Sequence, residues 1–253
     1  MEMQAAFEGG LLAVMLYRVI ISHGQSEFLD KFPPGPLTVA VFDAYTDADA
    51  YKCHELGFQA LPVPQMGNRG ANRNAGLQYL LNGALLAPDD IIEFFDGDRF
   101  PKQYDAWSVT SLIRAHNLDV LLYTCADDAR LQRIPIAPAG TALVDTGTLC
   151  NPFYSCGFAM QFAAIGQLLK TNGGNLFEPR FTKWGCEDQY LGLLCAKLGL
   201  RVALTSEIIL NGKVGGDSDA HPEYRESLQQ YIDLIYEKNL DIRDEPRPYE
   251  VLK

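Results

Sequence analysis

None of the six cysteines, Cys53, Cys125, Cys150, Cys156, Cys186 and Cys195, forms a C-x-x-C pair. That excludes a zinc knuckle and a thioredoxin-like redox site. Most of them lie in apolar runs, where a thiol reads as reduced and buried, which points to a reducing compartment. No stretch reaches the ~18–20 apolar residues of a membrane span. The run "LLAVMLYRVIIS" is short and carries Arg18. Lacking a basic n-region and a small-residue cleavage site, it reads as core strand rather than signal peptide. The expected location is the cytoplasm. Basic residues are scarce, with 21 Lys and Arg against 32 Asp and Glu and a net charge of −11. This argues against general nucleic-acid or anionic-membrane binding. The chain also lacks repeats, low-complexity tracts, a P-loop, G-x-G-x-x-G and H-E-x-x-H.

What is present is an alternation of apolar strands and amphipathic helices. Strands are expected at 11–17, 37–45, 58–64, 91–95 and 118–126, and helices at 70–86 and 106–117. In the helix at 70–86, Leu77, Leu80, Leu81, Ala84 and Leu85 make the apolar stripe. The second half reads as loop and hairpin over 135–149, helices over 158–170 and 186–199, a strand over 201–210, and a long helix over 221–239 ahead of a charged tail. The 253 residues show no linker. The expected fold is therefore α/β in one domain, 1–253: a mostly parallel, Rossmann-like sheet flanked by helices, with a smaller acceptor-side subregion. Its parts are a nucleotide-binding half (11–130), an acceptor half (131–240) and a tail (241–253).

In such sheets ligands bind beyond the carboxyl ends of the strands. Asp43, Asp96 and Asp98 all sit at expected strand exits. In "IIEFFDGDRFP", Asp96 and Asp98 are two apart on an extended segment, so their oxygens face one small volume. Gly97 between them would let a ligand approach the backbone. Hard carboxylate oxygens suit Mg²⁺ or Mn²⁺. Alone, the pair could equally close a solvated turn. Arg69 and Arg73, four apart in "GNRGANRNAG", share a face at a helix start. They make a diphosphate cradle or simply a solvated surface. Glu187 and Asp188 open a helix just after Trp184, a platform for a sugar face. Acids there could also only complement the helix dipole. His221 opens the last helix and is a ready Mn²⁺ ligand or an exposed end residue.

Together these pieces resemble nucleotide-sugar glycosyltransferases of the GT-A fold. They are nearest to family 2 enzymes with a galactosyltransferase-like C-terminal W-G-x-E-D segment. "VFDAYTD" is similar to V-D-D-G-S-T-D, "GANRNAGL" to A-R-N-x-G, and "EFFDGDRFP" to F-L-D-x-D-D-x-x-P. "FYSCGFAMQFAAIGQL" resembles the G-G-F acceptor-side stretch, and "LFEPRFTKWGCEDQYLGLLCAKLGLRV" the F-D-E…W-G-x-E-D segment. The resemblance implies that Asp43 contacts the base or ribose and Arg73 the nucleotide. It implies that Asp98 ligates Mn²⁺ or Mg²⁺ directly, that Asp96 reaches the ribose or the metal through water, and that His221 matches a metal-binding histidine. Asp188 would be the general base of an inverting transfer, with Trp184 and Glu187 holding the acceptor. A helix N-terminus lowers a carboxylate pKa and weakens a base, which burial against Trp184 would offset. The implied partners are a UDP- or GDP-sugar and a glycan or other hydroxyl acceptor. The acceptor could even be a modified DNA base, should Arg130, Arg133, Arg180 and Lys183 line a basic groove. Tyr45 and Cys186 depart from the family pattern. A sugar nucleotidyltransferase, a glycoside hydrolase and a non-catalytic sugar or nucleotide binder stand as the alternatives.

Overall fold

The structure is a computed structural model that describes residues 14–22, 26–33, 37–64, 68–125, 140–154, 156–182, 185–211 and 222–252. Ten strands form one sheet: β1 Leu16–Ser22, β2 Leu37–Phe42, β3 Gln59–Pro62, β4 Ile91–Asp96, β5 Pro101–Gln103, β6 Val120–Cys125, β7 Thr141–Leu143, β8 Gly157–Gln161, β9 Val202–Leu210 and β10 Glu250–Leu252. The order is β10-β7-β9-β6-β8-β4-β1-β2-β3, with β5 pairing β9. β3, β2, β1 and β4 make a parallel block, while β8 runs against both β4 and β6. β6 and β9 run with that block, so the expected mostly parallel α/β sheet holds.

The helices are α1 Asp47–Leu56, α2 Arg69–Gly83, α3 Ala106–Ala115, α4 Phe162–Thr171, α5 Glu187–Lys197 and α6 Tyr224–Glu237. They cover both faces. Leu77 and Leu80 of α2, Ile165 of α4, Leu191 of α5 and Leu234 of α6 join Val19, Phe94 and Leu122 in one core cluster. Cys53 of α1 and Ile113 of α3 pack with Ile20, Phe95 and Leu121 in the other. Successive strand residues point to opposite faces, so a strand covered on both sides reads as one apolar run, as "IIEFF" does. Gly76 lets α2 lie close on the sheet: a Cβ there would collide with Val19 and stand 2.9 Å from Val41 Cγ2.

Several expectations are corrected. The first strand starts at Leu16 and ends at Ser22 rather than spanning 11–17, of which 11–13 lie outside the described residues. The shift is possible because buried Arg18 is neutralised in place. Its guanidinium donates to Glu93 at 2.9 Å and to the Pro33 carbonyl at 2.9 Å. Tyr104 and Tyr123 hydroxyls each donate to the same carboxylate at 2.6 Å. The segment 158–170 is not all helix. Gly157–Gln161 is β8, inserted between β4 and β6, and α4 starts only at Phe162. A short apolar run fits either state, and cross-strand pairing decided it. α2 ends at Gly83, not 86, and leaves Leu85 fully exposed. β7 pairs with β9 and β10, not in a local hairpin. The charged tail thus contributes an edge strand, held by Arg243 to Asp145.

None of the six cysteines is in a disulfide. Burial, with Asp49 nearby, pushes the Cys53 thiol up to about 11, as in an inert core cysteine. Among the described residues, no helix is long and apolar enough to cross a membrane.

Candidate active site

Two strands parallel to β1, one on each side of it, deliver the acids to one edge. Asp43 follows β2, and Asp96 closes β4, where it pairs with Ile21 of β1. The Gly97 N–H donates to the Ile21 carbonyl at 2.7 Å. A Cβ on Gly97 would stand 2.9 Å from that oxygen. The glycine therefore serves close packing against β1.

Helix α2 builds the floor of the site. Asn68 caps it, accepting the Ala71 N–H at 3.1 Å. The Asn68 amide also donates to the Phe181 carbonyl. Asn74 donates to the Phe177 carbonyl at 2.7 Å and accepts the N–H groups of Leu176 and Phe177 at 3.1 and 2.9 Å. These bonds fasten residues 176–181, the approach to α5, onto α2. Glu187 consequently lies against the first turn of α2: a Cβ on Gly70 would be 3.5 Å from its Cγ.

Arg69 and Arg73 do share a face, but both reach Asp96. Buried Arg73 donates through Nη2 to Asp96 Oδ1, and its Nη1 stands 4.0 Å from Glu187 Oε1. Its guanidinium lies 5.2 Å over the Phe177 ring. Arg69 Nη1 is 3.4 Å from Asp96 Oδ2, and its side chain remains 46% exposed. Asp96 raises the pKa of Arg69 most; burial opposes this, and Glu187, Asp98 and Asp188 add to it. One guanidinium therefore feels four of the acids expected in the site, which the sequence spreads over more than ninety positions. Asp43 joins through Asn72, whose Nδ2 donates to its Oδ2 at 3.2 Å.

Asp98 differs from Asp96. Its carboxylate is 39% exposed, with Arg99 Nε at 3.9 Å. Its backbone is fixed, since Asn211 Nδ2 donates to the Asp98 carbonyl at 3.2 Å and the Asn211 N–H to the Phe100 carbonyl at 3.0 Å. This fits a divalent cation held by one carboxylate together with phosphates and water. Asp96, with each oxygen facing a guanidinium, fits a contact through water better than direct ligation. Among the described residues no group of three or more His, Cys, Asp or Glu is placed so that it could hold a metal ion by itself. His221 and Trp184 lie outside the described residues, as do Arg130, Arg133 and Lys183 of the basic groove. Arg180 is bound to Glu178 at 2.9 Å and to Glu237.

At α5, Gly185 and Cys186 both take left-handed backbone, φ 96° and 68°. Cys186 does so at a cost of about 1–2 kcal/mol for a residue with a Cβ. The turn swings Glu187 inward, buried, with its Oε2 lacking a hydrogen-bond partner. Asp188 is half-buried, and its Oδ1 accepts the Gln189 N–H at 2.9 Å. Tyr190, Leu191 and Leu194 bury the apolar face of α5, as the spacing predicts. The sequence reading missed four asparagines: Asn72 and Asn211, which bond Asp43 and the Asp98 backbone, and Asn68 and Asn74, which fasten residues 176–181 to α2. The one available signal was the density of Asn in "GNRGANRNAG".

No protein-family model matches the chain, and no curated protein matches it in sequence. Solved structures do. S. aureus TarS 1–349 in complex with UDP-GlcNAc superposes with a TM-score of 0.59 at 20% identity, covering 91% of this chain and 68% of that one. The same fragment in complex with UDP gives 0.57, also at 20% identity and with the same coverage. A further TarS structure gives 0.59 at 20% identity over 91% of this chain and 41% of that chain. At that identity the likeness is one of fold, and the chain shares the fold of TarS.

Proposed function

We propose that this protein moves a sugar from a nucleotide-sugar donor, a UDP- or GDP-sugar, to an acceptor hydroxyl on a glycan or similar molecule. The observation that carries the reading is the convergence of Asp43, Arg69, Arg73, Asp96, Asp98, Glu187 and Asp188 at one sheet edge. The fold shared with TarS, whose crystals hold UDP and UDP-GlcNAc, supports it.

In this reading Asp43 takes the nucleoside and the exposed Arg69 the anionic diphosphate. Asp98 would hold Mn²⁺ or Mg²⁺, with Asp96 contacting it through water or holding the ribose, and His221 contributing from beyond the described residues. The bound ion would neutralise charge on the departing diphosphate. Glu187 and Trp184 hold the acceptor. Asp188 removes the acceptor hydroxyl proton as that oxygen attacks the anomeric carbon from the face opposite the leaving group, so configuration inverts. Arg73 holds the Asp96 side chain in place. The cytoplasm is the compartment that suits six cysteines without a disulfide.

A thermal-shift screen of nucleotide sugars with and without Mn²⁺ tests the class, because a bound ligand raises the melting point by mass action. A shift that needs both components supports the reading. Sugar transfer with release of a nucleoside diphosphate, abolished in Asp188→Asn while donor binding persists, supports the base. Release of pyrophosphate from a nucleoside triphosphate would instead mark a nucleotidyltransferase.

A further inference from the structure

Asn72 has an arrangement that helix packing does not require. It stands where A-R-N-x-G has alanine, and it is only 4% exposed. Its Nδ2 donates to Asp43 Oδ2 at 3.2 Å. A carboxylate oxygen can only accept, so this bond decides which end of the carboxamide faces Asp43. The other end, Oδ1, is buried and has no hydrogen-bond partner. A buried acceptor left unused in a native fold calls for an explanation.

Its neighbour Arg73 turns the other way, to Asp96. Successive residues of α2 thus reach the acids that leave β2 and β4, the two strands flanking β1. Two strand spacings, about 9–10 Å, separate the two contacts. The β4 side presents guanidinium donors through exposed Arg69. The β2 side holds buried acceptors: the Asp43 carboxylate and Asn72 Oδ1. The diphosphate diester of a nucleotide sugar carries only acceptors at neutral pH, so it belongs with Arg69 and is repelled by the Asp43–Asn72 pair. A ligand group with N–H or O–H donors belongs with that pair.

We infer that Asn72 is a specificity-determining residue of the donor site. It orients Asp43 and presents Oδ1 to an N–H or O–H group of the nucleoside. This rests on the preceding reading that a nucleotide binds this edge. The donor group is either a base N–H or a ribose hydroxyl, and the test separates them.

Titration calorimetry with Mn²⁺ present would compare UDP, GDP, 2′-deoxy-UDP, N3-methyl-UDP and inorganic pyrophosphate on the wild type and on Asn72→Ala. The variant should bind the preferred nucleoside diphosphate about tenfold more weakly, the loss of one hydrogen bond. Pyrophosphate should bind both equally, which also shows that the variant is folded. Asn72→Ser replaces it if the alanine variant does not fold. The analogue that lacks the contacted group should lose nothing further on the variant, by the logic of a double-mutant cycle. That analogue is 2′-deoxy-UDP for a ribose contact and N3-methyl-UDP for a base contact. Additive losses for both analogues would overturn the direct contact. Unchanged nucleotide affinity, or an equal loss of pyrophosphate binding, would overturn the role of Asn72 alone. A wild type that binds pyrophosphate but no nucleoside diphosphate would overturn the donor-site reading with it.

Discussion

Asp96 and Asp98 are two residues apart, yet mutation of the first should cost far more stability than mutation of the second. Asp96→Ala removes the carboxylate that buried Arg73 donates to. Among the described residues, Glu187 is the other carboxylate paired with that guanidinium, at 4.0 Å. Breaking a buried ion pair by removing one partner costs about 3–5 kcal/mol, because the remaining charge stays desolvated. For a chain of this size each kcal/mol moves the melting point by about 2–4 °C, so Tm should fall by about 6–20 °C. Asp98→Ala removes a carboxylate that is 39% exposed, with its nearest cation 3.9 Å away. Its effect on stability should stay within about 0.5 kcal/mol. Calorimetry of both variants without ligand or metal measures this difference free of any assumption about function. Equal Tm shifts would refute the assignment of Asp96 to a structural pair and Asp98 to the ligand-facing surface.

Other outcomes follow from the same contacts. Gly76→Ala should destabilise by about 1–3 kcal/mol through overpacking against Val19 and Val41, seen as a lower denaturant midpoint at unchanged slope. Asn74→Ala should release residues 176–177 from α2, and hydrogen exchange at the Leu176 and Phe177 amides should quicken. Burial raises the pKa of Asp145, but hydrogen bonds from Arg243 and from the backbone N–H groups of Arg247 and Gly147 outweigh it and hold the carboxyl below its ordinary 3.8. A depressed carboxylate stabilises the fold above its unfolded value, and that stability is lost as pH falls through the folded one. Asp145→Asn should therefore lower Tm at pH 7 and cease to differ from wild type well below pH 3.8. Loss of the difference between pH 5 and 7 would contradict this.

The parts that could be read from the sequence are those whose signal is local. β4 announces itself as an apolar run ending in "DGD", and α5 by buried Tyr190, Leu191 and Leu194 at helical spacing. The alignment of Asp43 with Asp96 at one edge follows from parallel strands, and the structure bears out that placement. Features fixed by distant partners were not legible. β8 could not be told from the start of a helix, because the strands on either side of it come from far along the chain. β5 and β10 are three residues long and exist only through pairing with β9 and β7. Arg18 looked like an interruption, since nothing local reveals Glu93 waiting across the strand pair. Arg69 and Arg73 were placed on the right face, but their engagement with Asp96 depends on the packing of α2 over β1. Asn72 showed only as part of the Asn-dense "GNRGANRNAG", and Asn211 carried no pattern at all.

Calorimetric titration of UDP into the protein with manganese, comparing wild type with Asp98→Ala, tests the central claim most directly. The account predicts that wild type binds UDP only when Mn²⁺ is present. It also predicts that Asp98→Ala, still folded, loses at least about tenfold in affinity, or about 1.4 kcal/mol. UDP binding indifferent to both Mn²⁺ and Asp98 would contradict it.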